Sequence, residues 1–595
     1  MRTFAHPINL FLSCHQYRTF LNQPYPLFVK MKFNDYPYQR PDMEAIRTET
    51  LALLQQFEQA KSADEQGEII HKVNQIRSSF STMQNIAYIR YSIDTTNEAY
   101  NAEQEFFDEN MPIFGEYGDM FYRALINSKF REALEAKFGK QFFNLVEVSL
   151  KTFSPDIIED MQRENHLVSE YTKIMASAKL MFEGKECNLS DLYPYEQSAN
   201  RDLRQRASEA KWGFIAQHTD EFDRIYDELV QLRHNMAQKL GFKNFVELGY
   251  LRMARTDYNA KMVANYRQQV LDVVVPLAAK LRQKQVTRIG IDKLKYYDHY
   301  IQFKSGNPTP KGDAQWIVSN SKMMYEELSS ETSDFINFMI NNELMDLVNR
   351  KGKAGGGYCT FIENYKAPFI FSNFNGTAGD INVLTHEAGH AFQVYMSRNF
   401  DVPEYYWPTT EACEIHSMSM EFLTWPWMNR FFKEDTEKFK FDHLSGAVLF
   451  LPYGVSVDEF QHFVYENPSA TPQERKQAWR AIEKKYLPWT DCDGNEFLEN
   501  GGYWQRQAHI FASPFYYIDY TLAQICAFQF WHRAEQDRPN ALADYIELCK
   551  AGGSQPFLQL VKQANLESPF ADGCLEKVVK PIAQYLENVD DAAFA

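Results

Sequence analysis

The segment Thr385-His386-Glu387-Ala388-Gly389-His390 constrains the fold more than any other in this chain, because its chemistry exists only if it is helical. H-E-x-x-H on a helix sets two imidazoles one turn apart. Residues four apart share a face, so His386 and His390 converge on one ion, while Glu387, turned about 100° around the helix, misses the ion and meets its water instead. A catalytic zinc site needs three protein ligands and one open position. The third ligand is therefore expected from a neighbouring helix.

Such a helix is expected just downstream. Residues 399–408 contain Pro403 and Pro408 and read as a loop, after which Thr409 or Thr410 can cap a helix with Glu411 in its first turn. Glu411, Glu414 and Glu421 fall close to one stripe of that helix. Three acids on a stripe ordinarily mark a solvated face, but Ile415, Met418, Met420, Phe422 and Leu423 flank these, and buried carboxylates need partners. Glu414, 24 residues beyond His390, is the candidate third ligand; the pattern leaves Glu411, His416 and Glu421 open as well. A metzincin is excluded, since Gln393 and Met396 stand where its glycine and third histidine belong.

Two further stretches bear on the site. The glycine run at 355–357 leads into the β-like segments 358–362 and 368–374, a hairpin or small sheet whose edge could hold an extended peptide through backbone hydrogen bonds that ignore its sequence. No Gly-Lys-Ser/Thr follows the glycines, so a phosphate loop is not indicated. Far downstream, His509 is followed by Tyr516, Tyr517 and Tyr520, neutral donors suited to a developing oxyanion, although aromatic packing alone would also account for them.

Apolar residues recur at helical spacing in the first 200 positions, as in Ile46, Leu51, Leu54 and Phe57, then Ile69, Val73 and Ile76, with polar breaks such as Ser62-Ala63-Asp64 between them. This predicts an N-terminal helical lobe over 31–200 and a catalytic domain over 201–595. Residues 1–30 read as an extension upstream of the folded protein. At 595 residues, with a net charge of −17, the chain is large enough for two lobes and repels phosphate, which argues against a nucleic-acid partner. Eight scattered cysteines without C-x-x-C spacing, and no apolar run long enough to span a bilayer, predict free thiols, no membrane partner and a cytoplasmic location.

In Gly355 to Phe374, Thr385 to His390, Glu411 to Glu421 and His509 to Tyr520, taken in that order, the chain resembles the oligoendopeptidase F type zinc metallopeptidases of the thimet oligopeptidase family, and is especially similar to the bacterial Pz-peptidase oligopeptidases. The likeness runs from about Met31 to the C-terminus. It implies a mainly α fold, a two-lobed helical ellipsoid enclosing a deep substrate channel, with one small β-sheet beside the metal-binding helix. It also implies one Zn2+ per chain, held by His386, His390 and Glu414, with Glu387 as the base that activates the metal's water. His509, Tyr517 and Tyr520 match the loop whose side chains contact the scissile carbonyl, with Tyr516 competing with Tyr517. Glu421 or Glu411 would accept an imidazole N–H behind the metal. The expected activity is hydrolysis of internal bonds in short unfolded peptides. The alternatives are a zinc exopeptidase of dipeptidyl carboxypeptidase type, or a helical peptide-binding protein without catalysis.

Overall fold

The computed structural model describes residues 31–589 and Phe594. The expected extension, 1–30, lies outside the described residues. The fold is mainly helical with two small sheets.

The first long helices among the described residues are α1 (Met43–Gln59), α2 (Ala63–Ile93) and α3 (Glu98–Ile126). Each starts at a polar cap whose side chain accepts from free N–H groups of the first turn: Asp42, Ser62 and Asn97. The break between α1 and α2 therefore falls where the polar triplet predicts it. Ile46, Leu53 and Phe57 of α1 meet Ile70 and Val73 of α2 and Phe121 and Leu125 of α3 in one apolar cluster, which Val402 and Tyr405 close from the distant loop before the acidic helix.

Helix α4 (Ile158–Ala176) leads to a hairpin of β1 (Leu180–Phe182) and β2 (Lys185–Cys187). Helices α5 (Thr219–Lys239) and α6 (Phe245–Arg252) then enter the main core. A second sheet follows, with strands β3 (Met345–Val348), β4 (Tyr358–Ile362) and β5 (Ala367–Phe374) in the order β3-β5-β4. β4 and β5 form the expected antiparallel hairpin, while β3 runs parallel to β5 and so puts β5 in the middle, where all but one of its residues are buried.

Helix α7 (Gly379–Ser397) leaves β5 through a short loop and lies against the sheet; it carries the H-E-x-x-H segment. Asp380 in its first turn accepts from the N–H groups of Asn375 and Gly376, both at 2.9 Å, and so holds the turn that aims the helix. Helix α8 (Thr410–Leu423) packs directly on α7. The contact depends on Gly389, since a Cβ there would stand 2.6 Å from both the His416 carbonyl oxygen and the Ser417 Cα. Helix α9 (Thr436–Glu466) and helix α10 (Tyr517–Ala551) complete the surroundings of the site. α10 kinks at Asp537, where the backbone leaves helical geometry two residues before Pro539.

Candidate metal centre

The two imidazoles of α7 and one carboxylate of α8 meet as the spacing requires. His386 Nε2 lies 3.1 Å and His390 Nε2 3.3 Å from Glu414 Oε2, and the ligand atoms of the three residues all fall within 4.8 Å of one another. Glu414 is 1% exposed, and among the described residues no lysine or arginine pairs with it. Its other oxygen accepts from the Tyr516 hydroxyl at 2.6 Å, and Ser417 Oγ donates to Oε2 at 2.8 Å. Burial opposes ionisation of Glu414, and the two histidines outweigh it and hold the carboxyl well below its usual range. Burial likewise opposes charge on His386, and Glu414 and Glu421 outweigh it in the other direction. Two imidazoles and a buried carboxylate that stabilise positive charge between them are a donor set from which a divalent cation displaces the proton. Two nitrogens and one carboxylate oxygen suit zinc in a catalytic site, with cobalt or manganese able to use the same set.

Hydrogen bonds behind the ligands fix which ring nitrogen faces the centre. Trp425 Nε1 can only donate, and it does so to His443 Nδ1 at 2.9 Å. His443 Nε2 therefore carries the proton and donates to Glu421 Oε2 at 2.6 Å. The other oxygen of Glu421 accepts from His386 Nδ1 at 2.8 Å, which leaves the lone pair of His386 Nε2 for the ion. Of the two acids expected behind the metal, Glu421 has this position. Glu411 accepts from Thr409 Oγ1 instead and sits near Asp519 and Arg255; burial and the like charge of Asp519 push its carboxyl up to about 8. His416 is fully buried on another face of α8 beside Tyr545, and burial lowers its pKa to about 4. Neither Thr409 nor Thr410 caps α8 through its hydroxyl, because Thr409 is bonded to Glu411 and Thr410 to Asp519.

Glu387 is buried next to the cluster, and its Oε2 has no partner among the described residues. Burial raises its pKa, with His386 and His390 opposing the rise. A Cβ on Gly357 would lie 3.3 Å from Glu387 Oε1, so the chain entering β4 passes directly over this carboxylate.

The His509 segment forms the facing wall. Tyr453 donates to Gln507 Oε1 at 2.8 Å, which turns the Gln507 amide nitrogen toward His509 Nδ1 at 2.9 Å. His509 must then accept at Nδ1 and carry its proton on Nε2, which donates to the Tyr520 oxygen at 3.1 Å and leaves the Tyr520 hydroxyl proton free to point elsewhere. Burial lowers the His509 pKa to about 4, so the ring is neutral. Tyr517 stands edge-on to His509 and Tyr520, with its ring also against Phe450 and Tyr453.

Arg255 holds this segment from below. Its Nη2 donates to the Phe515 carbonyl at 2.5 Å and to Asp519 Oδ1 at 2.6 Å, and the ring of Phe515, whose φ is +65°, rests on Gly249. The residue after Phe515 is Tyr516, the donor to Glu414. His443, Gln507, Arg255 and the bond from Tyr516 to Glu414 have no counterpart in the expected site. All of them are pairings between distant segments or between side chains that carry no spacing signal.

Residues 324–579 match peptidase family M3, and residues 33–153 match the peptidase M3 N-terminal domain. Oligopeptidase PepF of Bacillus subtilis (strain 168) is 21% identical over 593 positions, covering 89% of this chain and 82% of that protein. A Pz peptidase A solved with an inhibitor is 62% identical, with a TM-score of 0.94, over 94% of this chain and 100% of its own. Oligoendopeptidase-F from Enterococcus faecium, 15% identical with a TM-score of 0.57 over 91% of this chain and 98% of that one, shares the fold. No helix among the described residues is long and apolar enough to cross a membrane.

Proposed function

The chain belongs to peptidase family M3 and is a metallopeptidase, and from that premise we propose that it is a zinc-dependent oligoendopeptidase that hydrolyses internal bonds of short, unfolded peptides. His386, His390 and Glu414 would hold a Zn2+, which would supply Lewis acidity toward water and a peptide carbonyl. The protein does the rest. Glu387, with an unpartnered oxygen beside the ligand cluster, takes the proton of the attacking water and passes it to the leaving amine. Tyr520 donates to the carbonyl oxygen as negative charge develops there, with His509 holding the phenol oxygen from behind and Tyr517 packed beside both. The open edge of β4 next to Glu387 holds the peptide in strand form.

The observation that carries this proposal is the convergence of His386, His390 and Glu414 within 4.8 Å next to the free carboxylate oxygen of Glu387. The test is Glu387→Gln, which should keep its zinc by metal analysis and lose roughly 10²- to 10⁴-fold in hydrolysis. Activity near the starting level in a zinc-loaded variant would remove Glu387 as the base. Peptides blocked at both ends separate an endopeptidase, which cuts them, from an exopeptidase, which does not.

A further inference from the structure

The edge of the three-stranded sheet is open along only part of its length. Strand order leaves one side of β4 unpaired. The register tells which residues face that side. Ile370 sends its N–H to the Leu344 carbonyl, away from β4, and Pro368 has no N–H to give. Their partners across the ladder, Cys359 and Phe361, therefore turn their own N–H and C=O groups outward, while Tyr358, Thr360 and Ile362 turn inward to β5.

The outward carbonyl of Phe361 is already taken. Asn85, on α2, donates to it from Nδ2 at 3.2 Å, and its Oδ1 accepts from Thr360 Oγ1 at 2.6 Å. Past this point α2 lies along the chain. The Asn364 N–H donates to Thr82 Oγ1 at 3.0 Å, Asn364 Nδ2 donates to Ser79 Oγ at 3.2 Å, and Ser78 Oγ donates to Glu363 at 2.6 Å. A helix thus covers the strand edge from Phe361 onward. Upstream, the outward N–H and C=O of Cys359 have no hydrogen-bond partner among the described residues, and Gly357 stands over Glu387.

We propose that Asn85 is a specificity-determining stop, which closes the β4 edge at Phe361 and so limits how many substrate residues can be held on the amino-terminal side of the cleaved bond. The proposal rests on the peptide hydrolysis argued above. A peptide antiparallel to β4 exchanges both backbone bonds with Cys359, the stronger pairing, and its amino end then points toward Phe361. Counting away from the reacting bond, the residue opposite Gly357 is the first, the one opposite Cys359 is the third, and the fifth would stand opposite Phe361, where Asn85 occupies the space.

The experiment is a series of peptides blocked at both ends, constant on the carboxyl side of the cleaved bond and carrying one to six residues on the amino side. Each is cut by the wild type, by Asn85→Ala and by Asn85→Gln, all zinc-loaded. In the wild type kcat/KM should rise up to the third residue and be flat from there to the fifth. Asn85→Ala frees the Phe361 carbonyl, so the fifth residue should now add roughly 3- to 10-fold. Asn85→Gln keeps an amide that can donate to that carbonyl and fills at least the same space, so it should keep the wild-type profile, whereas a purely structural role for Asn85 would make both variants fall equally at every length. A wild-type gain that continues past the third residue, or an Ala variant with the wild-type profile, overturns the stop. Should Asn85→Ala fail to fold, Asn85→Ser, which also clears the space, takes its place with the same expected gain. Failure of the wild type to cut any blocked peptide would instead overturn the endopeptidase function.

Discussion

At the scale of single residues, the centre is defined by which proton sits on which atom. The sequence Tyr453 to Gln507 to His509 to Tyr520 runs one way, because Gln507 accepts at its oxygen and donates from its nitrogen. The final hydroxyl proton is thereby left free, as the proposed oxyanion donor requires. Tyr520→Phe removes that proton while leaving the ring, and turnover should fall on the order of 10²-fold with little change in KM, measured on one blocked peptide. A KM effect alone would move Tyr520 from catalysis to binding. Behind the His386–His390–Glu414 cluster, Glu421 takes one N–H from each of His386 and His443. Glu421→Gln keeps the shape but gives one of those histidines a donor in place of an acceptor, so competition with a chelator should show metal affinity lowered roughly 10- to 100-fold. Unchanged affinity would mean that His386 is oriented by packing alone. The sequence already implies His386, Glu387 and His390, because their relation is local to one helix. That Glu414 is the acid beside these histidines depends on the packing of a second helix, which a stripe of three acids signals without saying which acid comes close. His443 could not be read at all, since its role exists only once Glu421 and Trp425 are in place.

At the scale of elements, the site is a contact between two helices that one glycine permits. Gly389 lies on α7 between His386 and His390, the two histidines proposed as ligands, and α8 comes so close that any Cβ would strike the backbone at His416 and Ser417 rather than a side chain that could swing away. Gly389→Ala should therefore push α7 from α8, cost about 1–3 kcal/mol in stability and separate Glu414 from the two histidines. Thermal unfolding and zinc content, measured together, should both fall. Gly446→Ala on α9 meets nothing within 4 Å and is the matched control, expected to be neutral or slightly stabilising. Loss of stability with full zinc content would show that the ligands do not depend on this helix spacing. The helices and the β4–β5 hairpin follow from periodicity and breakers, but β3 does not. Its four residues, Met-Asp-Leu-Val, are too few to show alternation, and its parallel partner lies beyond the glycine run. Asn85 was invisible for a related reason, since Thr360, with which it bonds, is 275 residues away.

At the scale of the whole molecule, early helices are tied to the His509 segment through a buried charge cluster. Glu164 on α4 receives Arg233 of α5 at 2.7 Å and Arg252 of α6 at 2.9 Å. Arg233 is fully buried, and it also donates to the Tyr465 hydroxyl on α9 and to the carbonyl of Phe511, two residues from His509. Burial alone would raise the Glu164 pKa, but Arg252 and Arg233 outweigh it and pull the carboxyl from 4.5 down to about 2. A carboxyl with a depressed folded pKa contributes its full stability above the unfolded value, and that contribution is lost as pH falls from about 4.5 toward 2. Unfolding midpoints in urea should accordingly drop across that window. In Glu164→Gln this part of the pH slope should disappear. At pH 7 the variant should be less stable than the wild type by a few kcal/mol, because Arg233 is left buried with its charge uncompensated. The same change should lower turnover more than metal content, because Arg233 also donates to the Phe511 carbonyl, two residues from His509, and makes no hydrogen bond to α7 or α8 among the described residues. A variant with the wild-type slope between pH 4.5 and 2 would show that other carboxyls control acid unfolding, and unchanged turnover would uncouple the helical cluster from the His509 segment.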